Sequence, residues 1–172
     1  MKTAQVLEND TETGVDMDAN QYLTFMLDGE EYGLDILRVQ EIKGWDSVTP
    51  IPNTPDYIRG VINLRGTIVP IMDLRCRLGL EAREYGPTTV VIVVRVESGD
   101  GRSRVMGIVV DAVSDVYNIS EDELKPPPDF GAAINVEYVK GIATVQEKMV
   151  IGLDIDCLMN SQDMTALDKL SG

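Results

Sequence analysis

Carboxylates are the residues of this chain that offer the most chemistry, because it has 29 Asp and Glu but no histidine. Without imidazole, the commonest general base and a frequent metal ligand are missing. Asp154 and Asp156 form a spaced carboxylate pair, but alternation along a strand would turn both to solvent while Leu153 and Ile155 pack inward. The acidic cluster at 121–123 is typical of a helix N-terminus. We therefore expect no catalytic residue, no metal and no cofactor.

A guanidinium on a tight turn is the second chemical feature. Asn63-Leu64-Arg65-Gly66 joins two apolar runs within residues 60–75. Asn63 can hydrogen-bond its own backbone and Gly66 tolerates a positive φ, so the segment predicts a β-hairpin with Arg65 at its tip. A guanidinium held on a rigid turn can form two parallel hydrogen bonds to a carboxylate of a partner. The alternative is a solvated surface arginine.

The elements that position these residues are short strands. Alternation in residues 22–27 places Leu23, Phe25 and Leu27 on one face, Asp28-Gly29 is a turn signal, and residues 30–36 return as a second strand. Residues 88–96 form a continuous run rich in valine, which is typical of a buried strand. At least seven such runs, separated by Gly, Pro or Asp, predict an all-β chain of one or two small barrels.

The chain divides into three parts by composition. Residues 1–20 contain five acidic residues and no periodicity, which predicts a disordered tail. Residues 21–160 form the folded domain, and Ser161 begins a predicted C-terminal helix within residues 161–172. No secretory signal or apolar run of transmembrane length is present, so a cytoplasmic location is expected.

The charge distribution limits the kind of partner. The net charge is −14, which argues against nucleic acid and against anionic membranes. The segment from Arg38 to Arg104 nevertheless holds ten basic and eight acidic residues. A local basic patch in this segment can still bind an acidic partner.

Three motifs in order give a resemblance. EEYGLDILRVQEIKGW at 30–45, GVINLRGTIVPIMDLR at 60–75 and RVMGIVVDAVSDV at 104–116 resemble the CheW family of chemotaxis coupling proteins. The resemblance runs from Gln21 to Asn160. It implies two intertwined five-stranded SH3-like β-barrels with short helices. It also implies an adaptor without enzymatic activity, recruited to membrane-associated chemoreceptor arrays.

Two partners follow from the same resemblance: the regulatory domain of the histidine kinase CheA, and the cytoplasmic tips of methyl-accepting chemoreceptors. The positions that the family uses for receptor binding correspond here to Ile36, Val39, Glu41, Ile42, Arg59, Gly60, Arg65 and Val90. From spacing alone, Ile36, Val39 and Ile42 fit one face of a short helical turn with a core role. The mixed periodicity of residues 37–44 fits either a short helical turn or a bent strand. The family's kinase contacts correspond to Val113 and Val116, at an exposed apolar end of a barrel.

Two other functions remain open at this point. The chain resembles the coupling domain of CheV and the regulatory domain of CheA itself, but those proteins carry a receiver or kinase domain for which 172 residues leave no room. The other is a small metal-dependent hydrolase that uses Asp and Glu alone, which titration with magnesium, calcium and manganese would test.

Overall fold

A computed structural model describes residues 19–127 and 136–160. Strands dominate these two ranges, and the helical segments among them are short. The strands are β1 (Ala19–Leu27), β2 (Glu30–Asp35), β3 (Val39–Gly44), β4 (Ile58–Leu64), β5 (Thr67–Asp73), β6 (Val90–Glu97), β7 (Ser103–Val110), β8 (Ala112–Ser120), β9 (Val139–Val145) and β10 (Lys148–Leu153). The α-helices are α1 (Leu74–Arg77) and α2 (Ile155–Met159), and 3-10 turns lie at Ile36–Arg38, Glu121–Glu123 and Val136–Tyr138.

The strands form two five-stranded sheets. One sheet has the order β3-β6-β7-β5-β4 and is called the central lobe. The other has the order β8-β1-β2-β10-β9 and is called the terminal lobe, because its strands come from both ends of the chain. The chain therefore passes from the terminal lobe to the central lobe after β2 and back after β7. The two lobes are intertwined by these two connections.

Each sheet is joined edge to edge by an isolated bridge. In the central lobe, Thr49 follows β3 and exchanges two 2.9 Å backbone hydrogen bonds with Val61 of β4, the opposite edge strand. In the terminal lobe, Lys125 follows β8 and pairs in the same way with Ile142 of β9. Bonding between opposite edges is the feature that closes a sheet into a barrel.

The largest apolar cluster lies between the lobes and is called the interlobe core. The terminal lobe contributes Leu23, Phe25, Leu27, Leu34 and Leu158, and the central lobe contributes Met72, Leu74, Ile92, Val94, Val96, Met106 and Ile108. Alternation explains the pattern, since every second residue of β1 and of β6 faces this cluster. Burial of each such side chain contributes about 1.5–3 kcal/mol, so the two lobes stabilise each other.

The lobes also contain an internal repeat. Residues 57–78 align with residues 138–159 at a constant offset of 81 without a gap. The identical pairs are Tyr57 and Tyr138, Gly60 and Gly141, Val69 and Val150, Asp73 and Asp154, and Cys76 and Cys157. Both segments fold as a hairpin followed by a short helix, and the aspartate caps that helix in each case. Each lobe thus contains one copy of the repeat, with the same order of elements.

The predicted all-β fold of two intertwined five-stranded units is confirmed. β1 begins at Ala19, two residues before the predicted start. The strand prediction for Asp154 and Asp156 was wrong, since Asp154 caps α2 and Asp156 lies in its first turn. The predicted C-terminal helix and nearly all of the acidic tail lie outside the described residues.

Candidate binding surfaces on the edge strands

The edge strand β3 carries three of the predicted receptor-binding residues, Glu41 and the aliphatic pair Val39 and Ile42. Of the two elements that fit residues 37–44, the bent strand is present from Val39 onward, because the aliphatic pair lies in a strand that contains a β-bulge. Val39 pairs with Val94 and Ile42 pairs with Ile92, so a three-residue step on β3 matches a two-residue step on β6. Because the bulge inserts one residue, both side chains lie on the sheet face that carries the interlobe core.

The apolar surface continues onto neighbouring elements. Ile36 in the 3-10 turn, Val39, and Val90 at the start of β6 all pack partly buried against the interlobe core. Ile42 is 43% exposed at the outer edge of the sheet. Leu37, which the sequence interpretation did not include, is 76% exposed beside Ile36. These residues form one aliphatic surface, called the β3 surface, that runs from the core to solvent.

Glu41 and Arg65 were predicted separately, and the structure brings them together. Arg65 on the β4–β5 turn donates to the Glu41 carboxylate through Nη2, which links the two opposite edge strands of the central lobe. The hydrogen bond and the charge of Arg65 lower the pKa of Glu41. The Arg65 side chain is 73% exposed, and its guanidinium has further N–H donors for another carboxylate.

The predicted hairpin around Arg65 is present, but its loop is Arg65 and Gly66 alone, because Asn63 and Leu64 still pair with Ile68 and Thr67. Arg65 and Gly66 both have positive φ angles, 53° and 92°, as a two-residue type I′ turn requires. The Gly66 backbone N–H donates to the Asn63 side chain at 2.8 Å. The guanidinium is therefore presented by a turn whose conformation is fixed locally.

Arg59 and Gly60 lie near the start of β4. Each of the two residues contacts a different neighbour. Arg59 is exposed, and its guanidinium carbon lies 5.8 Å from the centre of the Tyr85 ring. Gly60 is buried with a φ of 147°, and a Cβ atom there would lie 2.4 Å from the Thr49 carbonyl oxygen. Gly60 thus permits a close approach of the Thr49 backbone, which serves the bridge that closes the central lobe.

Val113 and Val116, the predicted kinase-binding residues, lie on β8, an edge strand of the terminal lobe. Val113 pairs with Phe25 and Val116 pairs with Leu23, so a bulge again places residues three apart on one face. Val113 packs on the interlobe core, and Val116 is 45% exposed. The pair is the counterpart of Val39 and Ile42 in the other lobe. A bulged aliphatic pair therefore appears on one edge strand of each lobe, β3 and β8, and these two valines form the β8 surface.

Two interlobe ion pairs were missed by the sequence interpretation. Arg38 in the 3-10 turn binds Asp156 of α2, and Arg75 of α1 binds Asp111 between β7 and β8. Arg38 and Asp156 are 118 residues apart, so no local sequence pattern predicts their contact. The internal repeat does relate one partner of each ion pair, since Arg75 and Asp156 occupy matching positions in its two copies.

The described ranges contain neither a cluster of metal-ligand residues nor a membrane-spanning helix. Across residues 19–127 and 136–160, no group of three or more His, Cys, Asp or Glu side chains is arranged to hold a metal ion. In the same ranges, no helix combines the length and apolar character needed to cross a membrane.

Comparison with known proteins gives consistent results. The family model described as CheW-like domain matches residues 21–163. The chain is 46% identical to the chemotaxis protein CheW of Klebsiella aerogenes, over 88% of each chain. It is 35% identical to the chemotaxis protein CheW of Rhizobium meliloti, over 85% of this chain and 91% of that one.

A solved structure agrees with the fold. The crystal structure of the scaffolding protein TtCheW from Thermoanaerobacter tengcongensis superposes with a TM-score of 0.73 at 36% identity. The match covers 84% of this chain and 90% of that one.

Proposed function

Because this chain belongs to the CheW-like domain family, we propose that it couples chemoreceptors to a histidine kinase of the CheA type without catalysing a reaction itself. A chemotaxis adaptor role follows from the relatives. The finer statement is that the chain holds receptor and kinase together, so that a signalling change in the receptor alters kinase activity.

One observation carries this proposal: one edge strand of each lobe, β3 in the central lobe and β8 in the terminal lobe, presents an aliphatic pair, and the two pairs have matching geometry. An adaptor needs two binding surfaces that two partners can occupy at once. Small apolar surfaces with a polar rim are typical of transient protein interfaces. The aliphatic pairs on β3 and β8 meet both requirements.

The charges beside the two surfaces support different partners for them. Arg65 pairs with Glu41, and Glu41 and Lys43 flank Ile42 on β3 with their side chains on the opposite sheet face. Asp115 precedes Val116 on β8, is exposed, and likewise faces the opposite side of its sheet. The resemblance implies an acidic receptor tip, which suits the basic side chains along the β3 edge. We therefore assign the receptor to the β3 surface and the kinase to the β8 surface.

The receptor-binding set proposed here is Ile36, Val39, Glu41, Ile42, Arg59, Gly60, Arg65 and Val90. An apolar stripe on the helical tip of a receptor would lie along the β3 surface in a helix-in-groove mode. Gly60 would act indirectly, since its backbone fixes the strand that precedes the Arg65 turn. The kinase-binding pair is Val113 and Val116, and recruitment to receptor arrays would follow from the two contacts together.

The test measures the autophosphorylation rate of the cognate CheA-type kinase with receptor-containing membranes. Three reactions are compared: without this chain, with it, and with its Arg65→Glu variant. We expect strong activation by the native chain and its loss in the variant. Arg102→Glu is the matched control, because Arg102 is an equally exposed arginine whose ion pair lies within the β6–β7 connection.

A folded native chain that does not activate the kinase would contradict the proposal. Equal losses in Arg65→Glu and Arg102→Glu would contradict the assignment of the receptor surface. A large fall in melting temperature in Arg65→Glu would show that the residue acts through stability instead.

A further inference from the structure

Two short connections carry the chain between the lobes, and each is fixed by an arginine–aspartate pair. The first connection is the 3-10 turn Ile36–Arg38 between β2 and β3. The second is the single residue Asp111 between β7 and β8. Each pair joins its connection to the short helix that ends a repeat, α2 in the first case and α1 in the second.

The second connection is held from several sides. Arg75 donates to Asp111 through Nε at 3.0 Å and Nη2 at 2.8 Å, which is a bidentate pair. Its Nη1 donates to Asp28 in the β1–β2 turn at 3.1 Å and to the Glu81 carbonyl at 2.9 Å. This arginine thereby joins α1 of the central lobe to a hairpin turn of the terminal lobe.

The first connection has the same arrangement. Arg38 donates to Asp156 through Nη1 at 2.9 Å and Nη2 at 2.6 Å, again in bidentate geometry. Its Nη1 also lies 3.2 Å from the Arg95 carbonyl of β6. Asp156 accepts a further hydrogen bond from the Glu97 backbone N–H at 2.9 Å, so α2 of the terminal lobe is joined to the central lobe.

The two pairs are counterparts with the charges exchanged. Arg75 and Asp156 lie 81 residues apart at matching positions of the repeat. The arginine is on the helix in one pair and on the connection in the other. The same backbone frame therefore accommodates either direction of the ion pair.

The pairs differ in how firmly they are held. The Arg75 side chain is 3% exposed, whereas that of Arg38 is 21% exposed. The connection at Asp111 is one residue long, whereas that at Ile36–Arg38 is three residues long and can absorb a change in backbone angles. Separation of Arg38 from Asp156 thus requires less rearrangement than separation of Arg75 from Asp111.

We infer that the Arg38–Asp156 pair is a latch that sets the angle between the two lobes. Ile36 and Leu37 of the β3 surface share the 3-10 turn with Arg38, so a ligand on that turn acts directly on the latch. Opening of the latch frees α2 and the terminal lobe, which carries Val116. The coupling role of the latch rests on the proposed function, whereas its effect on lobe geometry does not.

The experiment compares Arg38→Asp, Asp156→Arg and the double exchange, all in a chain with Cys76→Ser and Cys157→Ser. Spin labels are placed at cysteines introduced at Thr67 and Lys148, which are exposed residues on matching hairpins of the two lobes. Electron double resonance then measures the distribution of distances between the lobes. We expect each single variant to widen this distribution at least twofold. The double exchange should restore it, because the Arg75–Asp111 pair already uses that polarity.

Arg102→Asp is the control, since its ion pair with Asp100 lies within one connection of the central lobe and should leave the distribution unchanged. Asp156→Asn, which removes the charge without reversing it, serves if a reversed variant does not fold, and should also widen the distribution. Unchanged distances in folded Arg38→Asp and Asp156→Asn, or no restoration in the exchange, would overturn the latch.

Kinase activation by receptor membranes is measured on the same variants. We expect it to fall several-fold in the single variants and to recover in the exchange. If the native chain gives no activation, the proposed function fails while the distance result stands. If distances widen but activation is unaffected, the coupling role of the latch is overturned.

Discussion

Arg65 and Glu41 form an ion pair between the two opposite edge strands of the central lobe. The turn that carries Arg65 is fixed by its own backbone geometry and by the Asn63 side chain. The pair therefore adds little to what already holds the turn in place, and exposed pairs of this kind contribute little stability. Its value lies in the orientation of a guanidinium that still faces solvent.

This geometry predicts a separation of binding from stability. Reversal of both charges in the double variant Glu41→Arg, Arg65→Glu should rebuild the pair and leave the melting temperature near that of the native chain. It should not restore receptor binding, because the exposed guanidinium has moved from the turn to β3. Pull-down with receptor-containing membranes, together with thermal melts, measures both quantities. Recovery of receptor binding in the double variant would show that the pair matters only as an internal contact.

The two aliphatic pairs predict selective losses. Ile42→Asp and Val116→Asp each place a charge at a half-exposed edge position of equivalent geometry. We expect Ile42→Asp to weaken receptor binding and spare kinase binding, and Val116→Asp to do the reverse, by about tenfold or more in each case. Calorimetric titration with the kinase regulatory domain and sedimentation with receptor membranes report the two affinities. The variants control for each other, and loss of both affinities in either one would contradict separate surfaces.

The sequence predicted the hairpins well because their signals are local. Asn63 and Gly66 define the turn by their own backbone preferences, and alternation in residues 22–27 identifies the buried face. For Val39 and Ile42 the sequence predicted the shared core face but not the element, because a bulge inserts one residue and gives a strand the spacing of a helical turn. Bulges depend on the partner strand, and a single strand's sequence does not show them.

The ion pairs between the lobes could not be predicted from local sequence patterns, for a different reason. Arg38 meets Asp156 only after the chain has crossed between the lobes and returned. The 81-residue repeat, by contrast, was visible as five identities in 22 aligned residues. It would have predicted that Asp154 caps a helix as Asp73 does, and would have prevented its assignment to a strand.

The repeated glycines predict matched losses of stability. A Cβ atom at Gly60 would lie 2.4 Å from the Thr49 carbonyl oxygen, and one at Gly141 would lie 2.9 Å from that of Lys125. Both contacts are shorter than side chains tolerate, so Gly60→Ala and Gly141→Ala must displace the bridges that close the two sheets. We expect each to lower the free energy of unfolding by about 1–3 kcal/mol, with the larger loss at Gly60.

Urea denaturation followed by the fluorescence of Trp45 measures these losses. Gly99→Ala is the control, because Gly99 lies in the β6–β7 connection and a Cβ there meets no atom within 4 Å. Its free energy of unfolding should stay within about 0.5 kcal/mol of the native value. Equal stability of Gly60→Ala and Gly99→Ala would contradict the role given to the bridge.

Asp111 predicts how stability depends on pH. Burial alone would raise the pKa of Asp111, but the hydrogen bonds from Arg75 and from the Asp28 backbone outweigh it, so the pKa is lowered. A carboxylate whose pKa is lower in the folded state stabilises the fold above its unfolded pKa, which is about 3.9 for Asp. That contribution is lost as the pH falls through the lowered value.

Asp111→Asn removes the charge and should lower the free energy of unfolding by about 1–3 kcal/mol at pH 6, because Arg75 is buried and loses its charged acceptor. The difference from the native chain should shrink as the pH falls below about 4, because the unfolded Asp111 carboxylate then binds a proton while the folded one, with its lowered pKa, still does not. Urea denaturation of both proteins at several pH values between 6 and 3 measures this difference, and effects of the other carboxylates cancel in the comparison. Asp100→Asn, in an exposed local pair, should cost far less at pH 6. A difference between native and Asp111→Asn that stays constant down to pH 3 would mean that packing of the side chain, and not its charge, stabilises the connection.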